Sequence, residues 1–135
     1  MARQLDDKVM VAGQIAPSAV PEFAAQGVSL LVNNRADHEE PGQPTSAEIE
    51  AAAQAAGIGY RHNPIIRGMG PSDVEAMREA ICSSDQGKVL LFCRSGTRSV
   101  LAWALARAAD GMPRGEIERR AEEAGYSLAP VAHLL

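Results

Sequence analysis

Apolar residues along the chain alternate between short, nearly continuous runs and longer stretches of helical spacing, punctuated by glycine, proline and small polar residues. Val9-Met10-Val11-Ala12 reads as a first strand, and Ser18 to Gln26 as a helix with Pro21 in its first turn and Gly27 as its stop. Val28-Ser29-Leu30-Leu31-Val32 is a second strand, followed by a polar loop from Asn33 to Pro44. Thr45 with Glu48 makes a capping box for a helix that ends at Gly57, and Ile58 to His62 is the third strand. A glycine-containing loop from Ile65 to Pro71 leads to Ser72, which with Glu75 predicts a second capping box and a helix to about Ser84. Lys88-Val89-Leu90-Leu91-Phe92 is almost wholly apolar, as a central parallel strand covered on both faces must be. Val100, Leu101, Trp103, Ala104 and Leu105 then recur at helical spacing between Ser99 and Ala109. Glu116 to Ala124 forms a last helix stopped by Gly125, and from Tyr126 onward the pattern determines little.

Strands alternating with amphipathic helices predict an α/β fold: one three-layer domain over residues 1–135, with a mainly parallel sheet of four to five strands flanked by helices. In open parallel sheets the functional crevice lies beyond the carboxyl ends of the strands. Three loops are therefore expected to share one rim: Asn33 to Pro44, Ile65 to Pro71, and Cys93 to Arg98.

Composition narrows the possibilities. A chain of 135 residues with 46% hydrophobic and 22% charged residues can close a packed core without metals or disulfides. A net charge of −4 argues against nucleic acid or a membrane surface as partner, so any affinity for anions must be local. The stretch from Met1 to Lys8 lacks the apolar run of a secretory signal, and no later segment approaches the roughly 18 apolar residues of a membrane span, which makes the cytoplasm the expected compartment. Of the two cysteines, Cys82 falls within a helical pattern and reads as a helix residue, whereas Cys93 stands at a strand end and reads as a reactive thiol. His38, His62 and His133 show no metal-ligand spacing, so neither a metal nor another cofactor is expected, and His62 reads as a hydrogen-bonded strand-end residue.

The candidate chemistry lies in Cys93-Arg94-Ser95-Gly96-Thr97-Arg98. A cysteine after a buried strand and before a helix faces the helix N-terminus, whose free N–H groups and dipole favour a thiolate. Arg94 and Arg98 add positive charge, and Ser95, Thr97 and Ser99 offer hydroxyl donors to the sulfur or to a bound oxyanion. Gly96 permits the left-handed turn that an inward-facing ring of amides requires.

Loop length separates two chemistries. Cysteine-dependent phosphatases place the arginine after five intervening residues, and here that position is Ser99. With four intervening residues the loop resembles that of rhodanese-type sulfurtransferases. The layout also resembles dual-specificity phosphatases, in which an aspartate ending an H-x-P-x-x-D stretch protonates the leaving group. The corresponding stretch is His62-Asn63-Pro64-Ile65-Ile66-Arg67, so a base, Arg67, holds the acid's place and becomes a candidate for binding an anionic donor. Asp37 and Asp73 are alternative acids, although Asp73 beside Ser72 reads as a first-turn helix aspartate.

Three segments carry a fuller resemblance: Asn33-Asn34-Arg35-Ala36-Asp37, Glu39-Glu40-Pro41-Gly42-Gln43-Pro44, and Cys93 to Ser99 followed by Trp103-Ala104-Leu105. Together they resemble the phosphatase-like domain of beta-lactamase-hydrolase-like proteins. The resemblance implies a dual-specificity-phosphatase-like fold, Cys93 as nucleophile and Arg98 as anion-binding arginine, with Arg94, Ser95, Gly96 and Thr97 supplying the loop. Some members of that family are treated as sulfurtransferases linked to persulfide dioxygenases. The expected activity is accordingly transfer of sulfane sulfur through a Cys93 persulfide, from a small anionic donor such as thiosulfate or a glutathione-type persulfide to a thiol or cyanide acceptor. A functional link to a persulfide dioxygenase is implied too, without iron chemistry in this chain. Arg35, Asp37 and His38 are candidates to line the rim and contact the donor. Phosphoester hydrolysis through a phosphocysteine is the alternative activity, and a non-catalytic anion-binding or partner-binding module is the third.

Overall fold

The computed structural model describes residues 2–84 and 86–135; Met1, the first of the N-terminal residues read above, lies outside them. Five strands form one sheet in the order β1-β2-β5-β3-β4, with β1 Arg3–Gln4, β2 Val9–Ala12, β3 Val28–Asn33, β4 Gly59–His62 and β5 Lys88–Phe92. The last four run parallel, and β1, too short to be read from the pattern, adds an antiparallel edge. The helices are α1 Val20–Ala25, α2 Ser46–Ala56, α3 Pro71–Ser83, α4 Thr97–Ala109 and α5 Arg114–Glu123, with 3-10 turns at Pro17–Ala19 and Ala129–Leu134.

Alternation along the strands divides the core into two layers. Ala12, Leu31, Leu90 and Phe92 face α1 and α2, packing on Val20, Ile49 and Ala53. Val9, Val11, Leu30, Val32, Val89 and Leu91 face the opposite way, onto α3, α4 and α5. This is the expected three-layer α/β architecture. Helix α4 is buried all round from Ser99 to Ala106, which places it behind the sheet's centre with its N-terminus at the carboxyl end of β5. Near its other end, Trp103 Nε1 and Arg107 Nε both donate to the buried Asp6 carboxylate, at 2.7 and 2.9 Å.

The capping box at Thr45 and Glu48 is present, and Gly57 ends α2 in the left-handed conformation. The second expected box is displaced. Gly70 is the N-cap of α3, and its N–H donates to Asp73 Oδ2 at 2.8 Å, so Asp73 rather than Glu75 closes the turn. Pro71 is the reason: a proline serves best at the first helical position, where its missing N–H costs nothing.

Candidate functional site

Strand β5 ends at Phe92 and α4 begins at Thr97, leaving Cys93 to Gly96 to make the turn between them. Gly96 caps α4 with φ +94°, a left-handed conformation that side chains rarely tolerate. The turn brings the Gly96 N–H within 3.1 Å of Cys93 Sγ, a hydrogen bond to the sulfur of a residue only 1% exposed. Neighbouring segments grip the loop on both flanks. Gln14 N–H donates to the Arg94 carbonyl at 3.1 Å, and the Tyr126 hydroxyl donates to the Ser95 carbonyl at 3.0 Å.

Arg98 is the second residue of α4 and faces back over the loop. Its Nη1 and Nη2 each donate to the Glu39 carboxylate at 2.8 Å, and Nη1 also reaches the Ile65 carbonyl at 3.0 Å. The Glu39 hydrogen bonds raise the Arg98 pKa against the cost of burial, with help from the neighbouring Cys93 charge. Reciprocally, Arg98 and then Arg35 hold the Glu39 carboxyl down, against burial, to about 2. Glu39 is therefore an anion at any physiological pH. Glu40 completes the arrangement, accepting from Arg35 Nη2 at 2.8 Å and lying 3.6 Å from the mostly exposed Arg94.

The three expected loops do converge, and Asn34 joins them. Its N–H donates to the Phe92 carbonyl, its amide nitrogen to the Asn63 carbonyl at 2.9 Å, and its side-chain oxygen accepts from Ser99 Oγ at 2.8 Å. This changes the role expected of Ser99. Fully buried and turned toward Asn34, its hydroxyl ties α4 to the β3 loop rather than serving the sulfur or an oxyanion. Arg35 is likewise not on the rim: it is 1% exposed, with its guanidinium shared among Gln14, Glu39 and Glu40, and it anchors the loop from beneath. Sequence alone cannot see this, because the fork of an arginine suits buried carboxylates as well as bound anions.

Ser95 and Thr97 are exposed and bonded to each other, Oγ to Oγ1, at 3.0 Å. Arg67 is exposed on the loop before α3. Both candidate acids are already engaged as helix caps, Asp37 Oδ1 accepting the Ser46 N–H of α2 at 2.7 Å and Asp73 capping α3. His38 is exposed with φ +64°, and His62 Nε2 is hydrogen-bonded to the Arg35 carbonyl at 2.7 Å. Cys82 lies exposed on α3. Beside Arg98, a mostly apolar cavity of about 170 Å³ opens between Ile65, Ile66, Met69, Leu101 and Val131.

Sequence reasoning quoted Asn34, Glu39 and Glu40 only as carriers of the family resemblance, with no role in ordering the site, and it missed Tyr126. Arg35 and Glu39 pair at i, i+4 within a loop, where that spacing predicts no contact. Tyr126, which reaches the loop from 31 positions downstream of Ser95, left no signal.

A family model described as the phosphatase-like domain of beta-lactamase hydrolase-like proteins matches residues 2–110. Beta-lactamase hydrolase-like proteins of Xylella fastidiosa and Agrobacterium fabrum are 34% and 32% identical over 92% and 99% of this chain. The chain spans less than a third of their length, 29% and 31% respectively. Among solved structures, a Neisseria meningitidis protein called a "putative phosphatase" superposes with a TM-score of 0.84 at 36% identity, covering 97% of this chain and 93% of that one. The PTP-2 phosphatase of Cydia pomonella shares the fold at TM-score 0.74 and 14% identity, over 99% of this chain and 87% of that one.

Proposed function

The chain belongs to the phosphatase-like domain family of beta-lactamase hydrolase-like proteins, and from that membership and the geometry of the Cys93 loop we propose that it is a cysteine-dependent phosphatase of phosphate monoesters. The observation that carries this reading is the Gly96 N–H on Cys93 Sγ at the head of α4, with Arg98 facing the same loop. A sulfur so placed is stabilised as a thiolate and stands where loop amides and a guanidinium gather the oxygens of a tetrahedral anion.

The thiolate attacks phosphorus, forming the S–P bond as the P–O bond to the leaving group breaks. Water then attacks the phosphocysteine, releasing inorganic phosphate and returning the thiolate. Three of Arg98's hydrogen bonds go to Glu39 and Ile65; its remaining N–H groups are available to the equatorial oxygens. Arg94, Ser95 and Thr97 frame the mouth.

Among the described residues the candidate acids are engaged elsewhere, since Asp37 and Asp73 cap helices and Arg67 stands in the sequence where the H-x-P-x-x-D stretch would carry its aspartate. The favoured substrates are therefore esters whose leaving group departs without a strong acid, such as phenols, with a pKa of about 10, over aliphatic alcohols. The apolar cavity beside Arg98 suits the ring of such a group.

Sulfur transfer, the expectation drawn from the loop length and from the family's sulfurtransferase members, is less well supported, because the family model is described as phosphatase-like and the Neisseria meningitidis structure as a "putative phosphatase". Two observations still favour it as a second reading: the four residues between Cys93 and Arg98, one fewer than in the phosphatase loop, and the engagement of Asp37 and Asp73 as helix caps. Sulfur chemistry needs no general acid: the thiolate attacks the sulfane sulfur of thiosulfate, the S–S bond breaks and sulfite leaves. The test runs both assays on wild type and Cys93→Ser. Cysteine-dependent turnover of p-nitrophenyl phosphate supports the proposal; thiocyanate formation from thiosulfate and cyanide without phosphate release overturns it in favour of sulfur transfer.

A further inference from the structure

We propose that Tyr126 is a positioning residue for the nucleophile: by holding the Ser95 carbonyl, it turns the opposite end of the same peptide, the Gly96 N–H, onto Cys93 Sγ. A peptide unit is planar, and in its trans form C=O and N–H point in opposite directions. The Ser95–Gly96 unit is held at both poles, its oxygen accepting from Tyr126 at 3.0 Å and its nitrogen donating to the sulfur at 3.1 Å. Fixing the first pole aims the second.

Two further observations agree. A Cβ at position 96 would run into the Tyr126 hydroxyl oxygen and lie 3.0 Å from Cζ, so the phenol fits against the one residue whose left-handed backbone forms the turn. Burial, and then the Cys93 charge, raise the Tyr126 pKa above 10, which keeps the hydroxyl protonated and donating wherever the thiolate is needed. Tyr126 comes from the C-terminal segment, beyond the residues 2–110 that the family model matches. The same segment supplies Val131 to the cavity beside Arg98, so it contributes to the site from two directions.

This inference rests on the reading of Cys93 as nucleophile, and its test needs no substrate. Tyr126→Phe keeps the ring and removes the hydroxyl. Iodoacetamide alkylation of Cys93 at neutral pH, with exposed Cys82 as internal reference, is expected to slow by about two- to tenfold, the equivalent of one neutral hydrogen bond. A purely structural role gives the opposite sign, because a loosened fold exposes Cys93 and speeds its alkylation. An unchanged or faster rate overturns the proposal. Amide hydrogen exchange on the wild-type protein makes a second test independent of the variant's folding: the Gly96 N–H is expected to be protected, and exchange at the rate of a free loop amide overturns the proposal. Either failure leaves phosphate turnover by the wild type untouched, so the two readings fail separately.

Discussion

Glu39 and Arg98, 59 residues apart in sequence, meet in a two-point ion pair with both N–O distances at 2.8 Å. The pair fixes the guanidinium in one plane while its other donors stay turned toward the Cys93 loop. Removing it leaves Arg98 free to swing, and a charge-assisted hydrogen bond is worth roughly 1.5–3 kcal/mol. Glu39→Gln keeps one acceptor and is expected to lower kcat/KM toward p-nitrophenyl phosphate about tenfold, with Glu39→Ala lower still. Steady-state kinetics with circular dichroism as a folding control checks this.

The same pair sets an acid limit. The Glu39 carboxyl is lowered from an ordinary 4.5 to about 2, so the folded state binds that proton less readily than the unfolded one. Its stabilising contribution is complete above pH of about 4.5 and is lost as pH falls toward 2. Urea denaturation of wild type and Glu39→Gln should therefore show a stability difference that is constant from pH 7 to 5 and shrinks below it.

Asp6 accepts from Trp103, Arg107 and the N–H groups of Lys8 and Val9, and it is 5% exposed. Asp6→Ala leaves a buried indole N–H and a partly buried guanidinium without their acceptor, at a cost of roughly 3–5 kcal/mol. Thermal melting is expected to show a large loss far from the Cys93 loop.

Gly96→Ala places a methyl group against Tyr126 in a backbone conformation strained for any L side chain. Strain of roughly 1–3 kcal/mol would be relieved by turning the peptide away from the sulfur. Activity is expected to fall by more than tenfold even at temperatures where the variant remains folded, measured with the same phosphate assay.

If Asp37 and Asp73 serve as caps rather than acids, replacing them should cost stability and spare chemistry. Asp37→Ala and Asp73→Ala are each expected to lower stability by about 0.5–2 kcal/mol while changing kcat for an aryl phosphate less than threefold. Loss of the acidic partner's limb from the pH–rate profile in either variant would identify a general acid after all.

The sheet and its helices were legible because burial on both faces leaves a continuous apolar run, and Lys88–Phe92 was read to its end residues. The Cys93 loop was legible for a similar reason: a strand, a cysteine, a glycine and an arginine in that order have few other uses. Strand β1 was not, since two exposed residues carry no pattern. The site's polar scaffold was harder still. Arg35 and Ser99 have the side chains of anion-binding residues, and only the packing shows that one is sealed beneath the loop and the other turned to Asn34. Tyr126 depends on where the tail docks, which no local periodicity encodes.

The most direct test of the account concerns the sulfur itself. Wild-type protein mixed with p-nitrophenyl phosphate and quenched in acid within the first turnovers should show, by intact mass spectrometry and peptide mapping, one phosphoryl group on Cys93, absent from Cys93→Ser. Steady phosphate release with Cys93 never modified, or undiminished release by Cys93→Ser, would contradict it.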